Sequence, residues 1–255
     1  MIDPKTIPMP PIDLRRTVGP VEDSAYDNPA GVPVYPQVAE AHYDRVFDFG
    51  CGCGRVARQM MLQKRARPRV YTGIDLNRDA VDWCRANLSP HDPNYQFHHY
   101  DVFNAGLNPK GSRAHLAFPA DGEFTFINAH SVFTHVVEPD VRFAFGQCAD
   151  RLARDGAFRA TWFLFDRAYF PMMQEFQHSL YVNLDDPTQA AIYDYKFIID
   201  LYASFGLTMT IIKPPVIRGF QWEIYATKDP NAVAAPFPED AAPIGLMRPP
   251  TKRYE

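Results

Sequence analysis

Residues 46–55 read VFDFGCGCGR. Val46, Phe47 and Phe49 surround a single Asp48, and glycines follow at 50, 52 and 54. A short apolar run ending in closely spaced glycines predicts a buried strand that enters a tight turn, with a helix from Arg55 onward. Glycine allows positive φ and lets a ligand approach where a Cβ would block it. A helix N-terminus at such a turn offers unpaired N–H groups to an anion. The spacing limits the ligand. The dinucleotide fingerprint G-x-G-x-x-G needs its third glycine one residue later, and Arg55 stands there instead, which argues against NAD. The phosphate loop G-x-x-x-x-G-K-[ST] is absent as well.

Three further segments follow in order. Residues 69–77, RVYTGIDLN, form an apolar strand ending in Asp75, 25 residues after Gly50. A carboxylate at the end of the second strand of a βαβ unit can accept both hydroxyls of a ribose. Residues 95–102, YQFHHYDV, read as a third strand that includes Asp101, and residues 124–129 as a fourth leading into HSVFTH at 130–135.

Together these segments resemble the class I S-adenosylmethionine (SAM) methyltransferases. The glycine turn, preceded by Asp48, is similar to their motif (D/E)xGxGxG, Gly73 and Asp75 to GxDxS/N, and SVFTH to the segment after strand four in many bacterial members. The resemblance covers about residues 40–228. It implies a Rossmann-like α/β fold: seven strands, mostly parallel, with an antiparallel last strand and helices on both faces. It also implies SAM as cofactor, with S-adenosylhomocysteine as product. The implied cofactor residues are Asp48, Gly50, Cys51, Gly52, Gly54, Asp75, Leu76, Asp101, Val102, Ala129 and His130. Asp48 braces the turn or meets the methionyl amino group, Asp75 takes the ribose, Asp101 accepts from the adenine amino group, and Val102 offers its N–H to the ring.

Bulk properties agree with a globular enzyme. The chain has 255 residues, 46% of them hydrophobic, and 26 basic against 30 acidic residues give a net charge of −4. That balance carries no electrostatic footprint for nucleic acid. No apolar run reaches membrane-spanning length, and the N-terminus reads as no secretory signal. Cys51, Cys53, Cys84 and Cys148 fit a reduced, cytoplasmic protein. Cys51 and Cys53 lack the second ligand pair a zinc site needs, so no metal is expected. The basic run QKRARPR at 63–69 reads as a solvated surface turn.

The organisation expected is a proline-rich leader or lid over 1–40, a methyltransferase domain over 41–228, and a proline-rich tail over 229–255. Helices are predicted at about 55–64, 78–88 and 140–153, the last ended by Asp155-Gly156, with strand five at 157–165. Asn77 is a suitable N-cap for the second helix. Two closing strands, 207–213 and 220–228, flank PPVIRG. The tail is predicted to be extended, and either poorly anchored or draped over a partner. In the leader, Arg15 or Arg16 could pair with the methionyl carboxylate. Residues 166–193, rich in aromatics and Met, lie where the family inserts substrate-binding elements. Asp166, Tyr169, His178 and Tyr181 are the candidate acceptor contacts there.

His130 and His135 are the candidate catalytic residues, since imidazole titrates near neutral pH. A capping role for His135 and a pocket-lining role for His130 stand beside that reading. The stretch after strand four, Asn128-Ala129-His130-Ser131, lacks the (N/D)PP(Y/F) turn of family members that methylate exocyclic amines or glutamine. The expected activity is therefore methyl transfer to a small molecule, such as a hydroxyl of a sugar, glycan precursor or secondary metabolite. The alternatives are an N- or protein methyltransferase, or a SAM-binding sensor or scaffold without turnover. No nucleic-acid or membrane partner is expected, and a homodimer is one open quaternary option.

Overall fold

The computed structural model describes residues 6–215 and 221–238, with the backbone of 246–247. The chain divides into two compact units, residues 1–129 with 150–158, and residues 130–149 with 159–255.

The first unit is built on β1 (Arg45–Phe49), β2 (Val70–Asp75), β3 (Tyr95–His99) and β4 (Phe124–Ala129), ordered β3-β2-β1-β4. All these pairings are parallel; Asp48 of β1 stands opposite Gly73 on one side and Asn128 on the other. Central parallel strands are covered on both faces, which is why β1 and β2 are nearly continuous apolar runs. Among the described residues, the α-helices that lie wholly in this unit are α1 (Ile12–Val18), α2 (Arg55–Met61) and α3 (Arg78–Asn87). The Asn77 side chain accepts the Ala80 N–H at 3.2 Å, capping α3, whose Ala80, Val81 and Cys84 are buried.

The leader packs into this unit instead of standing apart. Met9, Leu14, Val18 and Ala25 cover a buried cluster of Tyr26, Cys53 and Ala80. Arg58 of α2, 4% exposed, donates to the carbonyls of Tyr26 (2.9 Å) and Ile7 (3.3 Å) and to Asp27 (3.2 Å). Arg15 is also spent on the leader: it donates to Pro10, Val21 and Asp23 and lies over the Tyr26 ring. Arg16 is exposed and pairs with Asp13. The basic run is bound by surface carboxylates, Arg65 to Glu40, Arg67 to Asp92 and Arg69 to Asp44.

The second unit holds most of α4 (Glu138–Arg151), the end of β5 (Leu152–Phe165), β6 (Ser179–Tyr181), β7 (Ala191–Asp194), α5 (Tyr195–Ser204), β8 (Thr208–Lys213), β9 (Gln221–Thr227) and β10 (Leu246–Met247). Its core is aromatic. Trp162 stacks on Phe133 at 4.6 Å and donates its indole N–H to the Tyr202 hydroxyl at 3.1 Å. Here β8 and β9 pair antiparallel, and β9 also pairs with β5. The seven-stranded, mostly parallel Rossmann-like plan with an antiparallel close is thus present in β1 to β5, β8 and β9. The short strands β6, β7 and β10 are additions.

Several features differ from the sequence reading. α4 runs over 138–151, and β5 starts at Leu152, so Asp155-Gly156 lies inside a strand and ends no helix. A Cβ on Gly156 would stand 2.9 Å from Leu152 Cδ1 and 3.0 Å from the Thr125 carbonyl, so that glycine serves close packing. β3 stops at His99, leaving Asp101 and Val102 beyond the strand. The insertion 166–193 contains the antiparallel hairpin β6–β7, whose second strand pairs parallel with β5. The described part of the tail is anchored, against expectation: Phe237 stacks on Tyr195 (4.6 Å) and Trp222 (4.9 Å), and the Ala235 N–H reaches the Met209 carbonyl. Its aromatic side chain supplies the contact that the proline count concealed. Residues 239–245 and 248–255 lie outside the described residues.

Candidate active site

In the first unit the glycine turn is set by backbone. Gly50 and Cys51 both donate their N–H to the Ile74 carbonyl, at 2.8 and 3.0 Å, which ties the turn to the end of β2. Gly50, Gly52 and Gly54 have φ of 80°, 53° and 77°, the left-handed region that a side chain disfavours. Gly52 is crowded too, since a Cβ there would lie 2.7 Å from Val18 of the leader.

Asp75 completes this cradle. Its Oδ2 accepts the Gly52 N–H and its Oδ1 the Asn77 N–H, each at 2.8 Å. An ionised carboxylate has about four acceptor positions, so two such bonds orient it and leave capacity for both hydroxyls of a ribose. Burial raises the Asp75 pKa, while the Asn77 and Gly52 N–H groups work the other way. Leu76 follows directly, and its carbonyl meets His99 Nε2 at 3.0 Å. Asp101 is exposed; one of its oxygens accepts from Asn108 Nδ2 at 3.0 Å. The Val102 N–H is turned onto the Tyr100 carbonyl at 2.8 Å. Asp75 thus fits a vicinal diol, whereas the Val102 N–H, expected to meet an adenine ring, is already spent on Tyr100.

Asp48 sits below the turn. It is 1% exposed and receives hydrogen bonds from the Tyr71 hydroxyl and from Asn128 Nδ2, the latter at 2.6 Å. Burial pushes its pKa up to about 6 against the pull of these two donors. Its bonds brace β1 against β2 and β4. The partners Tyr71 and Asn128 were missed from sequence, because both lie in apolar strands that read as packing. Cys51, Cys53 and Cys84 are buried thiols around the turn, and burial raises the pKa of each. Ala129 is fully buried at the end of β4. Among the described residues, no group of three or more His, Cys, Asp or Glu could hold a metal ion, and no helix is long and apolar enough to cross a membrane.

In the second unit the segment 130–135 forms a strained turn. Ser131 has φ of 58°, a left-handed conformation unusual for serine, and such strain persists where surrounding bonds impose it. Here the Ser131 N–H donates to Thr161 Oγ1 at 2.7 Å, and Gln221 Nε2 donates to Ser131 Oγ at 2.8 Å. His130 Nδ1 lies 3.1 Å from a guanidinium nitrogen of Arg159. Arg159 is 2% exposed and meets Glu223 at 2.5 Å; Glu223 also receives the Tyr225 hydroxyl (2.6 Å) and Lys213 Nζ (3.2 Å). Burial opposes the Glu223 charge, but Arg159, Tyr225 and Lys213 outweigh it and hold the pKa down to about 2. This cluster went unread in the sequence, although a charge in the apolar strand AFRATWFLF was its visible signal.

His135 is exposed, and its Nδ1 meets the Thr188 carbonyl at 2.9 Å. Of the four insertion residues, Asp166 accepts the Ala168 N–H, and Tyr169 is 40% exposed. His178 stacks on Phe197 at 4.7 Å, and the Tyr181 hydroxyl accepts the Glu138 N–H at 3.0 Å. Those last two contacts secure the insertion to α4 and α5.

The strands and the glycine turn define a Rossmann-like α/β fold. Residues 46–156 match a family model described as a methyltransferase domain. Structures of the same fold include an O-methyltransferase from a polyketide synthase multienzyme of Brevibacillus brevis, in complex with S-adenosylhomocysteine. It shares 12% identity at TM-score 0.53, over 77% of this chain and 74% of that one. Another is an O-methyltransferase from neocarzinostatin biosynthesis, in complex with SAM and 2-hydroxy-5-methyl naphthoic acid. It shares 13% identity at TM-score 0.50, over 78% of this chain and 51% of that one, so the match spans about half that enzyme's length. Residues 46–156, less than half of the chain, thus resemble a methyltransferase domain, and the two structures that share the fold were solved with SAM or S-adenosylhomocysteine bound.

Proposed function

We propose that this protein transfers the SAM methyl group to a hydroxyl of a small-molecule acceptor. The observation that carries the reading is the Asp75 carboxylate, oriented by the Gly52 and Asn77 N–H groups beside three left-handed glycines. In this reading the Gly50–Gly54 turn passes close to the methionyl part, Asp75 accepts the ribose hydroxyls and Asp101 faces the adenine. When bound, SAM supplies a methyl already activated by the sulfonium charge. The protein's share is then alignment, which in the best intramolecular reactions is on the order of 7–11 kcal/mol. A hydroxyl acceptor also has a proton to lose, and a positioned base typically contributes about 10²–10⁴ in rate.

His130 and His135 supply the proton-handling groups, and Asp166 and Tyr169 contact the acceptor. A hydroxyl is favoured over an amine because two imidazoles flank the strained Ser131 turn and the amide-gripping NPPY-type turn is missing. Two enzymes sharing the fold are O-methyltransferases, one crystallised with a hydroxynaphthoic acid, which makes phenolic acids the first acceptors to try. Calorimetric titration with SAM and S-adenosylhomocysteine tests the donor site. A screen of phenolic acids and sugars for S-adenosylhomocysteine formation tests the reaction. Absence of binding by the wild type overturns the reading.

A further inference from the structure

We propose that β6 is an interface between two copies of this chain, which pair their β6 strands antiparallel across a twofold axis at Tyr181. The inference is independent of the methyl-transfer reading. It rests on one sheet edge that the fold leaves open.

Apart from the two-residue β10, the sheet ends on β3, β6 and β8. An open edge offers unpaired N–H and C=O groups to any extended chain, so proteins cover their edges or charge them. The edge of β3 is covered: Ser89 Oγ donates to the Tyr95 carbonyl at 2.6 Å, and Arg85 Nε to the Phe97 carbonyl at 2.8 Å. The edge of β8 receives the Ala235 N–H on its Met209 carbonyl at 2.8 Å and ends in Lys213. On β6 neither device is present. Its ladder to β7 uses His178, Leu180 and Val182. The Asp194 N–H donates to the His178 carbonyl and the Val182 N–H to the Ala190 carbonyl, with Leu180 opposite Ile192 between them. Backbone groups alternate sides along such a ladder, so those of Ser179, Tyr181 and Asn183 face away from β7. They have no partner among the described residues. Residues 176–184, FQHSLYVNL, hold no Lys, Arg, Asp, Glu or Pro to guard the edge.

The side chains fit a second copy. Ser179 Oγ donates to Glu138 Oε2 at 2.6 Å, and the Tyr181 hydroxyl accepts the Glu138 N–H, so this face of β6 lies on α4. Alternation puts Leu180 and Val182 on the other face. Val182 is 68% exposed, and Leu184, just beyond, 83%. With the axis at Tyr181, the two Tyr181 residues exchange both backbone hydrogen bonds, and Ser179 does so with the partner's Asn183. Leu180 then lies opposite the partner's Val182, which joins the two apolar stripes. An axis at Leu180 would instead bring Glu175 toward the partner's Asp185, and opposed like charges destabilise a strand pair. Met172 and Phe176, also mostly exposed, lie in the turns that lead into β6. With Val182 and Leu184 they expose on the order of 500 Å², near the upper limit for a patch that a monomer leaves open, and the strand edge brings this toward the roughly 800 Å² per partner of a standard interface.

Sedimentation velocity of the whole chain, from low to high micromolar concentration, tests the proposal. The wild type should shift from monomer to dimer as concentration rises. V182K, and separately L184K, both at exposed positions, should stay monomeric, with the fold checked by circular dichroism. Amide hydrogen exchange read by NMR locates the contact. The Leu180 N–H should be protected at every concentration, and those of Ser179 and Tyr181 only where the dimer is populated. A wild type that stays monomeric, a dimer that survives both variants, or fast exchange at Ser179 and Tyr181 in the dimer overturns the proposal. If neither variant folds, the wild-type exchange pattern decides.

Discussion

The carboxylate of Asp75 accepts the N–H of Gly52 at 2.8 Å, so the second strand of the sheet holds the glycine turn that follows the first. The residue read as the ribose ligand is also a structural tie of the turn. Losing it should therefore affect both ligand binding and stability. For D75A, hydrogen bonds to a charged group, worth about 1.5–3 kcal/mol each, predict at least a roughly tenfold loss of S-adenosylhomocysteine affinity. Calorimetry on the folded variant checks this, and unchanged affinity would remove Asp75 from the donor site.

Gly52 is constrained from two sides, by its φ of 53° and by Val18 of the leader. G52A should lower stability by about 1–3 kcal/mol, from left-handed backbone and overpacking together. Adding V18A should restore the packing part and leave the backbone part. Denaturant midpoints of the two variants measure the split. A double variant no more stable than G52A would show that the leader does not press on the turn.

The buried Asp48 predicts a pH effect with a definite sign. Its folded pKa is raised to about 6 by burial, above the ordinary 3.8. Between these values the folded state holds the extra proton, so stability falls as pH rises. The contribution is complete below about pH 4 and lost above about pH 6, and two units correspond to about 3 kcal/mol. D48N carries no such charge. The melting temperature of the wild type should drop relative to D48N as pH rises across that window; a constant difference would mean that Asp48 titrates alike in both states.

Phe237 anchors the described tail by stacking on Tyr195 and Trp222. F237A should cost on the order of 1–3 kcal/mol, from lost aromatic pairs and apolar area. It should also speed proteolysis of the tail while S-adenosylhomocysteine affinity stays unchanged. Limited proteolysis with mass spectrometry reads the first effect, and equal cleavage rates would refute the anchor.

Local chemistry made much of this protein legible in its sequence. Glycines at 50, 52 and 54 follow an apolar strand because glycine adopts those φ values without the steric cost a Cβ brings. Asp75 and Asn77 end the next strand where a carboxylate and a helix cap are both needed. Such patterns act over a few residues and survive in one dimension. Partnerships between distant positions do not. Tyr71 and Asn128 meet Asp48 only because parallel strands bring them into register, and Arg159 meets Glu223 and His130 only once β5, β9 and the Ser131 turn are in place. The sequence by itself determined a methyltransferase-like sheet, its glycine turn and the place of the Asp75 carboxylate at the end of the second strand. Tertiary structure alone decided which buried charges are paired, which nitrogen of each histidine faces a donor or a carbonyl, and that Phe237 holds the tail, because each depends on neighbours the chain order does not adjoin.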